Sequence, residues 1–216
     1  HDIGSWFKVV IGFNIDTRLW RRTDGVCQYT IFNQNVAAID YTDPLAMVVI
    51  AAISCSCVKE KLEMTYNKQE ANIDKYITSN LKDERTVTYN NGSARLTLVA
   101  GEGEELAADG TVGFYYAGYT FNGNINSANM FATNHEATAT AAKWELTDPD
   151  YAIMEIDMND SRLLEGVRNG LLGVKAGEEC EILFCGKYGF GNSTFGMIPA
   201  NSALAFKIWV VNVSND

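Results

Sequence analysis

The stretch that decides the fold reads LEGVRNGLLGVKAGE and runs from Leu164 to Glu178. At its start, apolar residues recur at helical spacing: Leu163, Leu164, Val167 and Leu171. This spacing predicts a helix over Ser161–Leu172 with one apolar face, and Ser161 can cap its start with Glu165 nearby. A strand, Cys180–Cys185, follows.

The chain on both sides of this helix reads mostly as strands. Residues 152–158 alternate, with Met154, Ile156 and Met158 against Glu155 and Asp157, which is the period of a half-buried strand. Further strands are predicted at Val112–Tyr119 and Ala203–Val213. Strands around one central helix indicate an α+β domain.

A helix and a hairpin are predicted upstream of these strands. Ile73, Tyr76, Ile77 and Leu81 recur at three- and four-residue steps, which predicts an amphipathic helix over about 68–80. Two β-rich runs then flank Asn91-Gly92, a strong two-residue hairpin signal, and the glycines of 101–103 break the second strand.

An uninterrupted apolar run, LAMVVIAAIS, extends from Leu45 to Ser54. It is too short to span a bilayer but has the length of the apolar part of a signal peptide. The cysteines that follow, Cys55 and Cys57, look like the lipidated cysteine of a bacterial lipoprotein. A buried strand or short helix is the alternative, and the upstream flank carries Asp40 and Asp43 where a signal peptide carries basic residues.

These observations divide the chain into four parts. We hypothesise that residues 1–44, which begin with histidine and change character abruptly at Leu45, lie upstream of the natural mature protein. Residues 45–57 form the signal-like run and lipidation site, and 58–104 form a tether, helix and hairpin. Residues 105–216 form the main domain.

Composition excludes some classes of function. Lys and Arg total 17 against 27 for Asp and Glu, a net charge of −10 that disfavours nucleic-acid binding. The cysteines and two histidines show no zinc-ligand spacing, so we expect no metal site. Cys180 and Cys185 lie on opposite faces of one predicted strand, so we expect no disulfide between them, and we expect Cys180 to be buried.

The stretch from Leu164 to Glu178 resembles the hallmark helix and turn of the FKBP-type peptidyl-prolyl cis–trans isomerases. Three further motifs follow the family's order: Lys187-Tyr188-Gly189, Met197-Ile198-Pro199 and Ala203-Leu204-Ala205-Phe206. Upstream, residues 114–119 look like the family's strand with its pocket tyrosine. The helix and hairpin at 68–99 look like the extension of FKBP-type lipoproteins of Bacteroidetes-like bacteria.

The resemblance implies a curved antiparallel sheet wrapped around one central helix and a non-covalent isomerase site that uses no cofactor. By resemblance, the proline pocket is formed by Tyr116, Phe131, Val167 and Phe206, with Tyr188 donating its hydroxyl to a substrate carbonyl. Substrate contacts are expected from Met154, Leu163, Leu164, Met197 and Ile198. The implied partners are proline-containing polypeptides and macrolide inhibitors.

The chain departs from the family pattern at two positions. Val167 stands where many members have a tryptophan floor, and Ala132 stands where the family has an aspartate after the pocket phenylalanine. Thr133 and Asn134 are the candidates to supply polar contacts instead. Two readings therefore stay open: an active isomerase that assists the folding of exported proteins, and an FKBP-fold binding or chaperone module with little activity.

The lipoprotein interpretation implies a location. Lipid on Cys55 or Cys57 would anchor the chain to the bacterial envelope facing the periplasm, with the outer membrane favoured. Dimeric relatives suggest a homodimer through residues 68–80.

Overall fold

The computed structural model describes residues 44–82 and 84–215, with only the backbone for 44–58, 148 and 149. The hypothesis about residues 1–44 therefore lies outside the described residues, except for Pro44. The chain divides into a unit that ends at Thr65 and a unit that begins at Tyr66, and the sheet belongs to the second.

Three α-helices lie in the described part of the chain: α1 is Pro44–Asn80, α2 is Glu136–Ala141 and α3 is Glu165–Leu171. Helix α1 contains both the apolar run at 45–54 and the predicted tether at 58–67. Within the described residues, none of the helices combines the length and the apolar character that crossing a membrane requires.

The described residues form one antiparallel sheet. Its strands are β1 Thr86–Asn90, β2 Ser93–Val99, β3 Thr111–Thr120, β4 Met130–Thr133, β5 Met154–Asp157, β6 Glu179–Phe184 and β7 Leu204–Ser214. Their order is β1-β2-β6-β7-β3-β4, with β5 also paired to β3. Strands β4 and β5 follow each other along one edge of β3, because β5 pairs with residues 111–114 and β4 with 117–119.

The predicted hairpin is confirmed. Asn90 of β1 pairs with Ser93 of β2, so that Asn91 and Gly92 form a two-residue turn. Both turn residues have positive φ, 42° at Asn91 and 84° at Gly92, which is the conformation that favours asparagine and glycine there.

Helix α3 packs closely on one face of the sheet because two of its residues have no side chain. A Cβ on Gly166 would lie 2.3 Å from Cγ of Phe184, and one on Gly170 would lie 2.1 Å from Cγ2 of Ile182. Buried Arg95 also donates to the Gly170 carbonyl at 3.0 Å and pairs with Glu178 at 3.3 Å. The predicted central helix and α+β class are confirmed.

The second half of α1 covers the opposite face of the sheet. Ile73 and Ile77 are buried there against small residues of the strands. Beside them, the Tyr76 hydroxyl donates to buried Glu181 at 2.9 Å, and Lys207 pairs with the same carboxylate at 3.3 Å. The predicted helix over 68–80 is confirmed in its residues and its end, but its predicted start is wrong, because α1 runs without a break from Pro44. Leu81 lies beyond its end and is about half exposed.

The start of the central helix was predicted wrongly. Helix α3 begins at Glu165 after Leu164, and no side chain caps it. Ser161 lies instead in a turn in which the Asp160 carboxylate accepts from the Arg162 backbone at 2.9 Å. An aspartate that bonds its own downstream backbone favours a turn over a helix here.

The prediction that Cys180 is buried and not bonded to Cys185 is confirmed. Cys180 and Cys185 are both free and buried. Cys180 lies in the same apolar cluster as Ile182 and Phe184. The side chains of Cys55 and Cys57 lie outside the described residues.

Candidate functional site

The residues predicted to form the proline pocket or to contact substrate join, with one exception, one apolar cluster between α3 and the sheet. The fully buried members of the predicted set are Tyr116, Leu163, Val167, Ile198 and Phe206. The half-buried members packed against them are Phe131, Met154, Leu164 and Tyr188. Met197 is the exception, since its side chain is 79% exposed.

The inner layer of this cluster is shielded from solvent. Val167 and Phe206 have 0% exposure and Tyr116 has 3%. Phe206 stacks on Phe184 with ring centroids 5.9 Å apart. A proline ring would therefore first meet the half-buried side chains, and it would reach Val167 or Phe206 only after they move.

A glycine makes room for the aromatic pair at the centre of the cluster. The rings of Phe131 and Phe206 meet edge to face at 5.9 Å. A Cβ on Gly118 would lie 2.8 Å from Phe131 and 3.0 Å from Phe206. Gly118 on β3 therefore allows both rings to lie over the strand.

Thr133 and Asn134 bind the backbone of Tyr116. The Thr133 hydroxyl donates to the Tyr116 carbonyl at 2.7 Å, and the Tyr116 N–H donates to the Asn134 side chain at 2.6 Å. Asn134 is buried and also donates to the Ala152 carbonyl at 2.8 Å. These two side chains hold β3, β4 and the segment before β5 together around Tyr116.

The environment of Tyr116 keeps its phenol protonated. Burial, and secondarily the negative charge of Asp150, raise the pKa of Tyr116 above its ordinary value. Ala132 itself is a buried apolar residue of the cluster. The negative charge that acts on Tyr116 therefore belongs to Asp150, in the segment before β5, and not to the residue after Phe131.

Tyr188 lies at the start of the long connection between β6 and β7. It ends a 3₁₀ turn, Gly186–Tyr188, and its backbone N–H donates to the Cys185 carbonyl at 3.1 Å. The Lys187 ammonium lies 5.4 Å from the centre of the Tyr188 ring. Farther along, Phe190 and Phe195 stack at 5.0 Å, and Phe195 exchanges backbone hydrogen bonds with Ile198.

The arrangement suits non-covalent chemistry. An X-Pro bond isomerises slowly because twisting the amide breaks its resonance. The twisted amide is less polar than the planar one, so an apolar, water-poor surface binds it better than water does. Within the described residues no group of three His, Cys, Asp or Glu side chains is placed to hold a metal ion.

Sequence reasoning missed several residues that build this cluster. Phe184 and Gly118 supply packing, and β4 and α2 have no counterpart among the predicted elements. Asn134 is a predicted source of polar contacts, but its bonds to the backbone of Tyr116 and Ala152 were not foreseen. Gly118 and Asn134 carry no local signal, because their roles depend on strands that are distant in sequence. Phe184 could have been found, since it shares the face of Cys180 and Ile182 on the predicted strand.

A separate cleft of about 610 Å³ lies between α1 and the hairpin. Ile73, Asp74, Tyr89 and Leu183 are among the residues that line it. None of the predicted site residues contributes to its wall.

The chain is similar in sequence to known proteins. Residues 103–211, about half of the chain, match the family model described as FKBP-type peptidyl-prolyl cis-trans isomerase. FK506-binding protein 1 of Aspergillus oryzae is 20% identical over 123 residues, which cover 57% of this chain and 99% of that protein.

Solved structures also resemble the chain. FkpA from Escherichia coli has a TM-score of 0.47 at 19% identity, over 79% of this chain and 70% of FkpA. A peptidyl-prolyl cis-trans isomerase from Pseudomonas syringae has a TM-score of 0.48 at 17% identity, over 70% of this chain and 96% of that one.

Proposed function

This chain belongs to the FKBP-type peptidyl-prolyl cis–trans isomerase family, and on that premise we propose that it isomerises X-Pro bonds in exported proteins at the cluster around Tyr116. One observation carries the choice of site. Half-buried Phe131, Met154, Leu164 and Tyr188 converge on a buried aromatic layer. The convergence gives a proline ring an apolar surface bordered by one phenol hydroxyl.

Each side chain has a proposed task. Phe131 and Met154 contact the proline ring, and Leu164 at the start of α3 offers its backbone to the peptide. The Tyr188 hydroxyl donates to a substrate carbonyl. Buried Val167 and Phe206 support the contact surface from beneath.

Activity on a short X-Pro peptide tests this proposal. The full-length protein should raise the rate of cis–trans exchange, measured by NMR exchange spectroscopy, and Phe131→Ala should lower kcat/KM by about tenfold or more because an apolar contact to the twisted amide is lost. Leu81→Ala is the control, since Leu81 is exposed beyond the end of α1. Equal loss in both variants would contradict the proposed site.

The burial of the inner layer favours a second candidate. Val167 and Phe206 have no exposed surface, so the cluster can hold a peptide at its rim without enclosing the proline ring. In that case the protein is a binding or chaperone module. Peptide binding with exchange at the uncatalysed rate would establish this second function and exclude the first.

The proposed location rests on the sequence alone. Lipid on Cys55 or Cys57 would hold the chain at the periplasmic side of the bacterial envelope, most readily the outer membrane, where exported proteins fold. Labelling with radioactive palmitate in cells tests the anchor. The label should disappear when both cysteines are changed to serine, and its persistence would exclude lipidation there.

A homodimer and a macrolide ligand complete the proposal. Tyr66, Ile73 and Ile77 are buried within the chain's own unit, so a dimer would have to use the polar side of α1, such as Lys68 and Lys75. Sedimentation equilibrium would distinguish monomer from dimer. Competition between a macrolide and the X-Pro peptide would test whether both occupy the Tyr116 cluster.

A further inference from the structure

The connection between β6 and β7, residues 185–203, carries Tyr188, Met197 and Ile198. Its two ends meet at Gly186 and Asn201. A Cβ on Gly186 would lie 2.4 Å from the Asn201 carbonyl oxygen, so glycine permits this close approach. The Asn201 N–H also donates to the Gly191 carbonyl at 2.6 Å.

Gln69 of α1 bridges the two ends of this connection. Its side-chain amide donates to the Asn201 carbonyl at 2.7 Å and accepts from the Gly186 N–H at 2.9 Å. Tyr66, one turn earlier, donates its hydroxyl to the Asn201 side chain at 2.7 Å. Helix α1 therefore links the two ends of the loop that contains Tyr188.

The hairpin turn approaches Tyr188 from a second direction. A Cβ on Gly92 would lie 2.0 Å from Cε2 and 2.2 Å from Cζ of Tyr188, the ring carbon that carries the hydroxyl. Asn169 of α3 donates to the Asn91 carbonyl at 3.0 Å, and Asn90 donates to the Asn169 carbonyl at 3.0 Å. The turn is thus fixed to α3, and Gly92 sets how far the Tyr188 ring can move towards the hairpin.

We propose that residues 66–92, which precede the matched domain, are a positioning element of the catalytic site: Gly92 and Gln69 together set the place of the Tyr188 hydroxyl. The inference rests on the proposed role of Tyr188. It adds that a segment outside residues 103–211 determines the rate. Neither Gly92 nor Gln69 need touch the substrate.

The chain supplies a matched pair of glycines for the first test. Gly92 and Gly103 have almost the same φ, 84° and 85°, but no atom lies within 4 Å of a Cβ on Gly103. Alanine at either position meets the same unfavourable φ, and only Gly92→Ala displaces Tyr188. The ring can turn aside, because its far end makes the contact, so we expect the variant to fold.

We expect Gly92→Ala to lower kcat about tenfold with little change in KM, because misplacing a catalytic group by about 1 Å can cost up to about 100-fold. Gly103→Ala should keep the wild-type kcat. In a Tyr188→Phe background, Gly92→Ala should have no further effect, since the hydroxyl that it displaces is already absent.

Gln69 provides a second test that adds no atoms. Gln69→Ala removes both side-chain bonds to the loop and should lower kcat about threefold to tenfold through the same displacement of Tyr188. Gln69→Glu keeps the acceptor for the Gly186 N–H and should fall between wild type and alanine. Lys68→Ala, at an exposed neighbour, is the control.

The outcomes separate this inference from the proposed function. If Tyr188→Phe loses activity but Gly92→Ala matches Gly103→Ala and Gln69→Ala matches Lys68→Ala, the positioning role is overturned and the site stands. If Tyr188→Phe keeps full activity, the role of Tyr188 and the inference both fail. Non-additive loss in the Gly92 and Tyr188 double variant supports the inference.

Discussion

The two faces of the sheet are packed by opposite means. Directly beneath α3 the small residues that permit close contact belong to the helix, where Gly166 and Gly170 admit Phe184 and Ile182 of β6. On the α1 face the small residues belong to the strands: Ala94, Ala117 and Ala205. There the helix supplies the large side chains, Ile73 and Ile77.

This difference determines where a site can form. Helix α3 lies so close to the sheet that its backbone and the aromatic rings share one cluster, and the half-buried rim of that cluster faces solvent. Helix α1 fills its face with its own side chains and adds the Tyr76–Glu181–Lys207 cluster. The candidate site therefore lies on the α3 face, and helix α1 stabilises the sheet from the other face.

The largest expected effect tests whether α1 stabilises the domain. Ile77 is 2% exposed, and Ile77→Ala should lower the free energy of unfolding by about 3 kcal/mol through lost burial and a residual cavity. Urea denaturation measures the loss. Exposed Thr78→Ala is the control, and a similar small effect in both variants would show that α1 contributes little.

The next test concerns the close approach of α3. Gly166→Ala should lower the free energy of unfolding by about 2 kcal/mol, because the new methyl group clashes with Cγ of Phe184, the ring atom that cannot swing away. Helix propensity acts in the opposite direction and would favour alanine by up to about 1 kcal/mol. An increase in stability in urea denaturation would therefore contradict the close packing of this face.

The polar cluster on the α1 face predicts a pH dependence. Burial, followed by the charge and hydrogen bond of Glu181, raises the pKa of Tyr76, so the folded state holds the phenol proton more tightly than the unfolded chain does. This stabilisation is present below about pH 10, the ordinary pKa of tyrosine, and is lost as the pH rises further.

Tyr76→Phe measures this contribution. Above about pH 10 the free energy of unfolding should fall less steeply with pH in the variant than in the wild type. The two slopes should differ by about 0.5 kcal/mol per pH unit, because solvent screens the charge of this half-exposed group. Chemical denaturation at several pH values gives the slopes. Tyr151→Phe, which removes a phenol outside both clusters, is the control, and equal slopes in all three proteins would refute the prediction.

The smallest effect concerns the turn that leads into α3. Hydrogen bonds from the Arg162 side chain and backbone, followed by its charge, lower the pKa of Asp160 to about 2. Arg162→Ala should move this pKa towards the ordinary value near 4, measured by NMR titration. Stability at neutral pH should hardly change, because Arg162 is more than half exposed to solvent and an ion pair at the surface contributes little. An unmoved pKa would show that Arg162 does not act on Asp160.

Prediction from the sequence succeeded where the signal was local. The Asn91-Gly92 turn follows from its own φ requirements, and β5 follows from the alternation of residues 154–158. Motif order predicts the pocket and substrate-contact residues, and the fold brings all of these except Met197 into one cluster. Their contact with substrate stays a prediction. The start of α3 was wrong because Asp160 forms a local turn that periodicity does not reveal.

The sequence by itself determined the class of fold, the two helices, the hairpin and the family resemblance, since each depends on neighbours along the chain. Only the tertiary structure decided that Val167 and Phe206 lie beneath the surface, that Asn134 holds Tyr116, and that Gly92 meets the Tyr188 ring. These contacts join residues that are 18 to about 100 positions apart. Burial and contact at such separations follow from how strands pair and helices pack, and no local pattern of residues encodes them.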